Sequence, residues 1–219
     1  MSVQWLDIQE EITAMLSATE FNEGGRMNKF LLKWGNRLVT EICQEIDIRK
    51  HLQTCTIVFT TADESKTLPE IFLKHSHRFT RVRASGSSDD AYIPIVGLDE
   101  LLSYDPDRDE TTTSIPDSVS IEGKRIYPYP LFAGTLILEN YFRRPEKMTD
   151  KSGSPDLVDD DEDLLVNLLS AGVLKKGFLW LQDVDMVQYY SAEYNRLLDL
   201  YRLFVDASNS QIVEQSKYY

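Results

Sequence analysis

Cysteine is nearly absent from this chain of 219 residues, which contains only Cys43 and Cys55. The two lack CxxC spacing and no Asn-x-Ser/Thr sequon occurs, so we expect free thiols in a reducing compartment. No apolar run approaches the length that crosses a bilayer, and the acidic, amphipathic amino terminus is unlike a signal peptide. These absences predict a soluble intracellular protein without membrane contact.

Catalytic motifs are absent as well. The sequence contains no GxGxxG, GxxxxGK[ST], HExxH or GxSxG pattern. Histidine is scarce: His75 and His77 would share one face of a strand, but no third metal ligand lies near them. The acidic loop that begins at Asp105 resembles the start of an EF-hand, yet Glu110 stands where that motif needs glycine. We therefore predict no enzyme, no catalytic residue, no metal site and no cofactor.

Basic residues are also few compared with acidic residues. Lys and Arg total 23 against 36 Asp and Glu, which gives a net charge of −13. A nucleic-acid binder needs a basic surface to neutralise phosphates, so the composition argues against one. An acidic composition is compatible with a protein that surrounds DNA without binding it tightly. Ordinary solubility explains an acidic surface equally well.

Amphipathic helices and β-patterned runs are what the chain does contain. Helical spacing of apolar residues predicts helices near 5–16, 27–52 and 164–174, and a last one after Gly177. Between them, three runs alternate or are β-branched and aromatic: 118–122, 125–129 and 135–142. We predict an α+β fold, with a helical bundle (1–54 and 160–208), a β-rich insertion (55–159) and a flexible tail (209–219).

The predicted last helix has the most regular apolar stripe. Trp180, Tyr194 and Tyr201 lie on it, and the stripe ends at Asp206. Such a stripe is typical of bundle core, and its aromatic content also suits packing between subunits.

Three stretches carry a family resemblance: LPEIFLKHSHRFTRVR (68–83), IPIVGLDELLSYDP (93–106) and SIEGKRIYPYPLFAGTLILENYFRRP (120–145). The first begins Leu-Pro-x-x-Phe. The last contains Ile-x-Gly-x-x-Ile-x-x-x-Pro and leads into a strand that ends Tyr-x-Arg-x-Pro. Together they resemble the β-insertion of tailed-phage head–tail adaptor proteins, and the likeness extends over about 27–205.

The resemblance implies a structural virion protein at the head–tail interface, made in the host cytoplasm. It implies a ring of copies, commonly twelve, that sits under the portal protein and receives a tail or nozzle protein. DNA would pass through such a ring without specific binding. Two other classes remain open: a small cytoplasmic metal-dependent helical hydrolase, for which Glu41 and Glu45 would supply carboxylates, and a regulatory binding module.

Two segments are candidates for partner binding. The first is a basic cluster in an acidic chain, formed by Lys74, Arg78, Arg81 and Arg83; it would dock an acidic partner or DNA phosphate, or simply protect a strand edge from aggregation. The second is the tail, whose large apolar groups are Ile212, Val213, Tyr218 and Tyr219. We expect the tail to be disordered when free and to order on the portal, although a frayed end is the alternative.

Overall fold

The computed structural model describes residues 3–16, 26–60, 63–86, 92–104, 106–107, 111–112, 115–150 and 152–215, without the side chains of 26–28, 112 and 210–215. The chain divides into a helical unit, Met1–Ile48 with Pro145–Tyr219, and a β-rich unit, Arg49–Arg144. Helices and two larger sheets are both present, which confirms the predicted α+β class.

The limits of the β-rich unit differ from the predicted 55 and 159. At the start, a 3₁₀ turn (Arg49–His51) leads directly into the first strand, so the second helix stops at Glu45 instead of continuing to residue 52. At the end, the segment after Arg144 is tied to helices rather than free. Asn36 Nδ2 donates to Met148 O (3.0 Å), and Met148 N donates to Asn36 Oδ1 (2.8 Å).

Five helices are described: α1 (Trp5–Leu16), α2 (Arg26–Glu45), α3 (Leu98–Tyr104), α4 (Glu162–Leu181) and α5 (Val184–Gln215). All but α3 belong to the helical unit. Its core consists of apolar side chains at helical spacing, among them Ile8, Ile12, Leu38, Ile42, Leu165, Leu168 and Leu169. Burying each such side chain contributes about 1.5–3 kcal/mol.

Two glycines allow these helices to approach closely. A Cβ at Gly35 of α2 would lie under 3.0 Å from three ring atoms of Trp5 on α1. A Cβ at Gly172 of α4 would likewise collide with the side chain of Leu38 on α2. Because glycine has no Cβ, a tryptophan ring and a leucine fit where any other residue would push the helices apart.

The corner between α4 and α5 lies at Gln182, and the prediction that Gly177 separates these helices is wrong. Gly177 is buried inside α4. Gln182 adopts a left-handed conformation (φ 59°), and its N–H bonds to the carbonyls of Leu179 and Phe178. The Asp183 carboxylate then accepts from Met186 N (3.1 Å) and starts α5. Trp180 therefore belongs to α4.

Helix α4 is long and apolar enough, by length and composition alone, to cross a membrane. Just over half of its apolar window, 56 %, is buried inside the protein. It packs against α1, α2 and α5, as the core helix of a bundle does. Its first turn is capped by Asp161, whose carboxylate accepts from Leu164 N (3.0 Å).

The described strands are β1 (Leu52–Phe59), β2 (Lys66–Thr67), β3 (Phe72–Lys74), β4 (Arg81–Ala84), β5 (Tyr92–Ile93), β6 (Ile95–Val96), β7 (Thr111–Thr112), β8 (Ser118–Glu122), β9 (Arg125–Tyr129), β10 (Leu131–Phe132) and β11 (Gly134–Arg143). One sheet has the order β1-β11-β4-β5, with β3 also on β11; another has the order β2-β9-β8-β6. The three β-runs predicted from residue 118 onward are β8, β9 and β11.

The long strand β11 is the centre of the first sheet. It pairs antiparallel with β1 on one side and with β4 and β3 on the other. Its buried residues Leu136, Leu138 and Tyr141 face a core shared with the second sheet, which contributes Val119, Ile121 and Ile126. This core fixes the position of β3, β4 and the turn between them.

Candidate functional site

The basic cluster lies on β3, on β4 and on the turn that joins them. Buried Thr80 holds this turn: its hydroxyl accepts from Ser76 N (2.9 Å) and donates to Asn140 O on β11 (3.1 Å). Thr80 N also donates to Ser76 O (2.8 Å). The turn is thus bonded to the central strand, and the cations on it project from a rigid base.

Two of the four predicted cations interact within the unit. Arg83 Nε lies 2.6 Å from Glu139 Oε1 on the adjacent strand β11. Lys74 Nζ lies 5.3 Å from the centre of the Phe142 ring. Both side chains are half-buried, so they contribute to the sheet as well as to its surface charge.

The other two cations, Arg78 and Arg81, are exposed and form no ion pair within the described ranges. Arg81 Nη1 donates only to backbone carbonyls, those of His77 (3.4 Å) and Thr80 (3.1 Å). The Arg78 guanidinium lies over the Phe79 ring, 5.0 Å from its centre. Both positive charges remain available to an acidic group from outside.

Arg49 joins these cations, although its position in the sequence gave no signal of it. Its guanidinium lies 5.1 Å from the centre of the same Phe79 ring, and its Nε is buried without a hydrogen-bond partner in the described structure. Three guanidinium groups therefore lie around one turn of a chain that is acidic overall. Arg49 was not predicted to belong to this cluster because it lies far from Arg78 and Arg81 in the sequence.

A cleft of about 260 Å³ opens beside Arg81. Its walls are His77, Thr80 and Arg81 on one side and Tyr92, Ile93, Pro94 and Ile95 on the other. The second wall is the segment in which the chain leaves β5 of one sheet and enters β6 of the other, with Pro94 between them. Arg81 gives the cleft a guanidinium group that can bind a carboxylate through charge-assisted hydrogen bonds, and Tyr92, Ile93 and Pro94 give it an apolar wall.

The two histidines lie side by side without a third metal ligand close to them among the described residues. The rings of His75 and His77 meet edge to face with centres 5.4 Å apart. Burial, together with the neighbouring His77, lowers the pKa of His75. Within the described parts of the chain, no three His, Cys, Asp or Glu residues group closely enough to hold a metal ion.

The helical carboxylates that a hydrolase would need are engaged elsewhere. Lys176 Nζ lies 2.7 Å from Glu41 Oε1, and Arg202 Nη2 lies 3.7 Å from Glu45 Oε2. Each of these acids therefore has a cation beside it rather than a second carboxylate. The arrangement favours links between helices over metal binding.

The aromatic residues predicted to pack subunits separate into two kinds. Tyr194 and Tyr201 are only 8 % and 1 % exposed, so they belong to this chain's own core. The Tyr201 hydroxyl accepts from Val158 N (2.9 Å) and donates to Val158 O (3.1 Å), and burial raises the pKa of Tyr201. Trp180, by contrast, is 62 % exposed and has Leu179, Val184 and Tyr189 as exposed neighbours around the α4–α5 corner.

The carboxy-terminal candidates begin inside a helix. Helix α5 continues to Gln215, beyond the predicted limit at 208, and Ile212 and Val213 are on it. Asn209 is buried, and its Nδ2 donates to Asp47 O (3.0 Å), which ties the helix to the chain beyond α2. Tyr218 and Tyr219 lie outside the described residues.

Comparison with known proteins gives a match that covers nearly the whole chain. The model of a family described as SU10 adaptor protein matches residues 4–214. The chain belongs to this family. The match confirms the resemblance to phage adaptors that residues 68–145 carry. It also identifies a structural protein of the phage virion, which points away from an enzyme. No curated protein matches the chain significantly.

Proposed function

We propose that this protein is the head–tail adaptor of a tailed phage. Copies form a ring, with twelve as the expected number, beneath the portal protein, and the ring receives the tail or nozzle protein. The observation that carries the proposal is the adaptor family match over residues 4–214. Assembly takes place in the host cytoplasm, and the finished ring remains in the virion.

The exposed groups support docking rather than catalysis. Arg78 and Arg81 lack an acidic partner in the described structure, and Trp180 is one of several exposed apolar side chains on α4 and α5 near their corner. Interfaces are built from aromatic anchors of this kind with complementary charge around them. The terminal helix with Ile212 and Val213, followed by Tyr218 and Tyr219, would enter the portal.

The acidic charge is uneven, and this suits a channel through which DNA moves. The helical unit contains 22 acidic and 11 basic residues, and the β-rich unit 14 and 12, so −11 of the net −13 belongs to the helical unit. A strongly acidic wall repels phosphate and lets DNA slide. We therefore infer that the helical unit contributes most of the channel lining.

Co-expression with the portal and tail proteins of the same genome tests the proposal. We expect the tagged chain to retain the portal protein on an affinity column, and electron microscopy of the complex to show a second ring beneath the portal. A chain that retains neither portal nor tail protein would refute the adaptor function.

A further inference from the structure

We propose that Arg78 and Arg81 bind the acidic run 159–163 of a second copy of this chain, so that copies join head to tail. This inference rests on the proposed ring and names the contact that would hold it. A head-to-tail contact needs two different, complementary patches on each copy, and it closes into a ring when the rotation between copies allows.

The first patch is the cationic turn, defined as Arg78, Arg81 and the cleft beside Arg81. Its guanidinium groups contact backbone carbonyls and an aromatic ring but no carboxylate in the described part of the chain. Arginine binds carboxylates through parallel N–H bonds, and the Arg81 Nη2 and Nε groups remain for such a pair. Tyr92 and Pro94 give the cleft an apolar wall along which a backbone can lie.

The second patch is the acidic run, Asp159, Asp160, Asp161, Glu162 and Asp163. Asp160 and Asp163 are exposed and have no cation beside them among the described residues. Asp161 uses its carboxylate to cap α4. The run lies in the helical unit, which carries nearly all of the net negative charge, whereas the cationic turn lies in the β-rich unit.

The choice of a second copy follows from this charge distribution. Two helical units, each with a net charge of −11, repel each other, so a contact that places a cation of one copy against an acid of the next is favoured. Within the described residues, the cationic turn brings together two guanidinium groups that have no acid beside them. If this contact repeats around a ring, the cationic turn of each copy binds the acidic run of the next copy, so both patches of every copy are used.

The wild type and three double variants of the full chain test the contact by sedimentation velocity at low ionic strength. The wild type should associate in a concentration-dependent manner, and salt should dissolve the oligomers because screening weakens exposed charges. Arg78→Glu/Arg81→Glu should lower the association constant by roughly tenfold or more. Asp160→Lys/Asp163→Lys should do the same. The control Lys124→Glu/Arg125→Glu changes the net charge as much as the first variant but lies on another hairpin, and it should associate nearly as the wild type does.

Combining the variants distinguishes a head-to-tail contact from a symmetric one. An equal mixture of the neutral double variants Arg78→Gln/Arg81→Gln and Asp160→Asn/Asp163→Asn keeps one intact patch on each partner and creates no new complementary pair, so it should form one-to-one dimers and nothing larger. The quadruple variant exchanges the signs of both patches and should regain oligomers. A monomeric wild type, a mixture without dimers, or a quadruple variant without rescue would each overturn the proposal.

Two further readouts separate this contact from the adaptor function. Duplex DNA binding that disappears in Arg78→Glu/Arg81→Glu while self-association is unchanged would assign the turn to phosphate and overturn the proposal. Portal binding is measured with the wild type in the same buffer. If the wild type binds portal but the charge variants associate normally, the inferred contact fails and the adaptor function stands; if nothing binds portal, the adaptor function itself fails.

Discussion

Arg83 on β4 and Glu139 on β11 form an ion pair across two adjacent strands, with Nε and Oε1 2.6 Å apart. About four-fifths of each side chain is shielded from solvent, so the pair is screened less than a surface pair. Arg81 lies two residues away on the same strand and has no such partner in the described structure. Neighbouring arginines of one cluster thus have different roles.

This difference gives the first prediction. Arg83→Gln should lower the free energy of unfolding by about 1 kcal/mol, because Glu139 loses its cation. Arg81→Gln should change stability by less than about 0.5 kcal/mol, since its side chain is exposed. Chemical denaturation of both variants checks the prediction. Equal stability losses would show that the ion pair contributes nothing beyond its surroundings.

The second prediction concerns the contact between α1 and α2. Gly35→Ala places a Cβ against the Trp5 ring, which is fully buried and has no room to move, so we expect a loss of about 1–3 kcal/mol. Gly97→Ala is the matched control, because nothing lies within 4 Å of its Cβ. Thermal unfolding by circular dichroism should show a lower Tm for the first variant alone.

The third prediction compares a buried and an exposed aromatic residue. Tyr201→Phe removes the hydroxyl that both accepts from and donates to Val158, so stability should fall by about 1–3 kcal/mol. Trp180→Ala should leave stability within about 0.5 kcal/mol and weaken binding to portal or to other copies. A Trp180 variant that unfolds early but binds normally would contradict its role at an interface.

The fourth prediction is the reactivity of Cys55. Burial raises the pKa of its thiol to about 11, so very little thiolate is present at pH 8 and reaction with a thiol reagent should be slow until the chain unfolds. The unfolded thiol loses its proton near pH 9 and the folded one near pH 11, so this group's contribution to stability is lost as pH rises across that window. Cys55→Ala should reduce the loss of stability between these pH values.

Periodicity predicted the type of most elements, because burial on one face leaves a repeating pattern. Strands β9 and β11 and helices α1 and α5 have such patterns, whereas β8 and α4 are buried on more than one face. The ends were harder to predict. Helix α2 stops at Glu45 because Leu52 and Gln53 pair with Phe142 and Tyr141, residues that lie some ninety positions further along the chain. No local pattern carries that information.

The α4–α5 corner is a second case in which the sequence did not locate the end of a helix. Gly177 looked like a break, yet it lies inside α4, where an added Cβ would be in tight contact with the Leu16 side chain, 3.2 Å away. The real corner uses Gln182 in a left-handed conformation, which glutamine rarely adopts. Asp183 was the available signal, since aspartate is a preferred helix cap.

At the candidate site, the cluster from 74 to 83 was visible in sequence, but its division into paired and unpaired cations depends on strand register.

The fifth prediction concerns the carboxy terminus. Asn209 is buried and bonded to Asp47 O, so a truncation meant to test docking must keep it. Deletion of residues 210–219 should leave the Tm nearly unchanged and abolish attachment to portal-containing heads, because Ile212, Val213 and the terminal tyrosines would be gone. Asn209→Ala in the full chain should instead lower stability by about 0.5–1.5 kcal/mol and retain attachment. If the truncated chain still attaches to heads as the wild type does, the terminal segment is not the portal anchor, and the exposed side chains around Trp180 become the next surface to test.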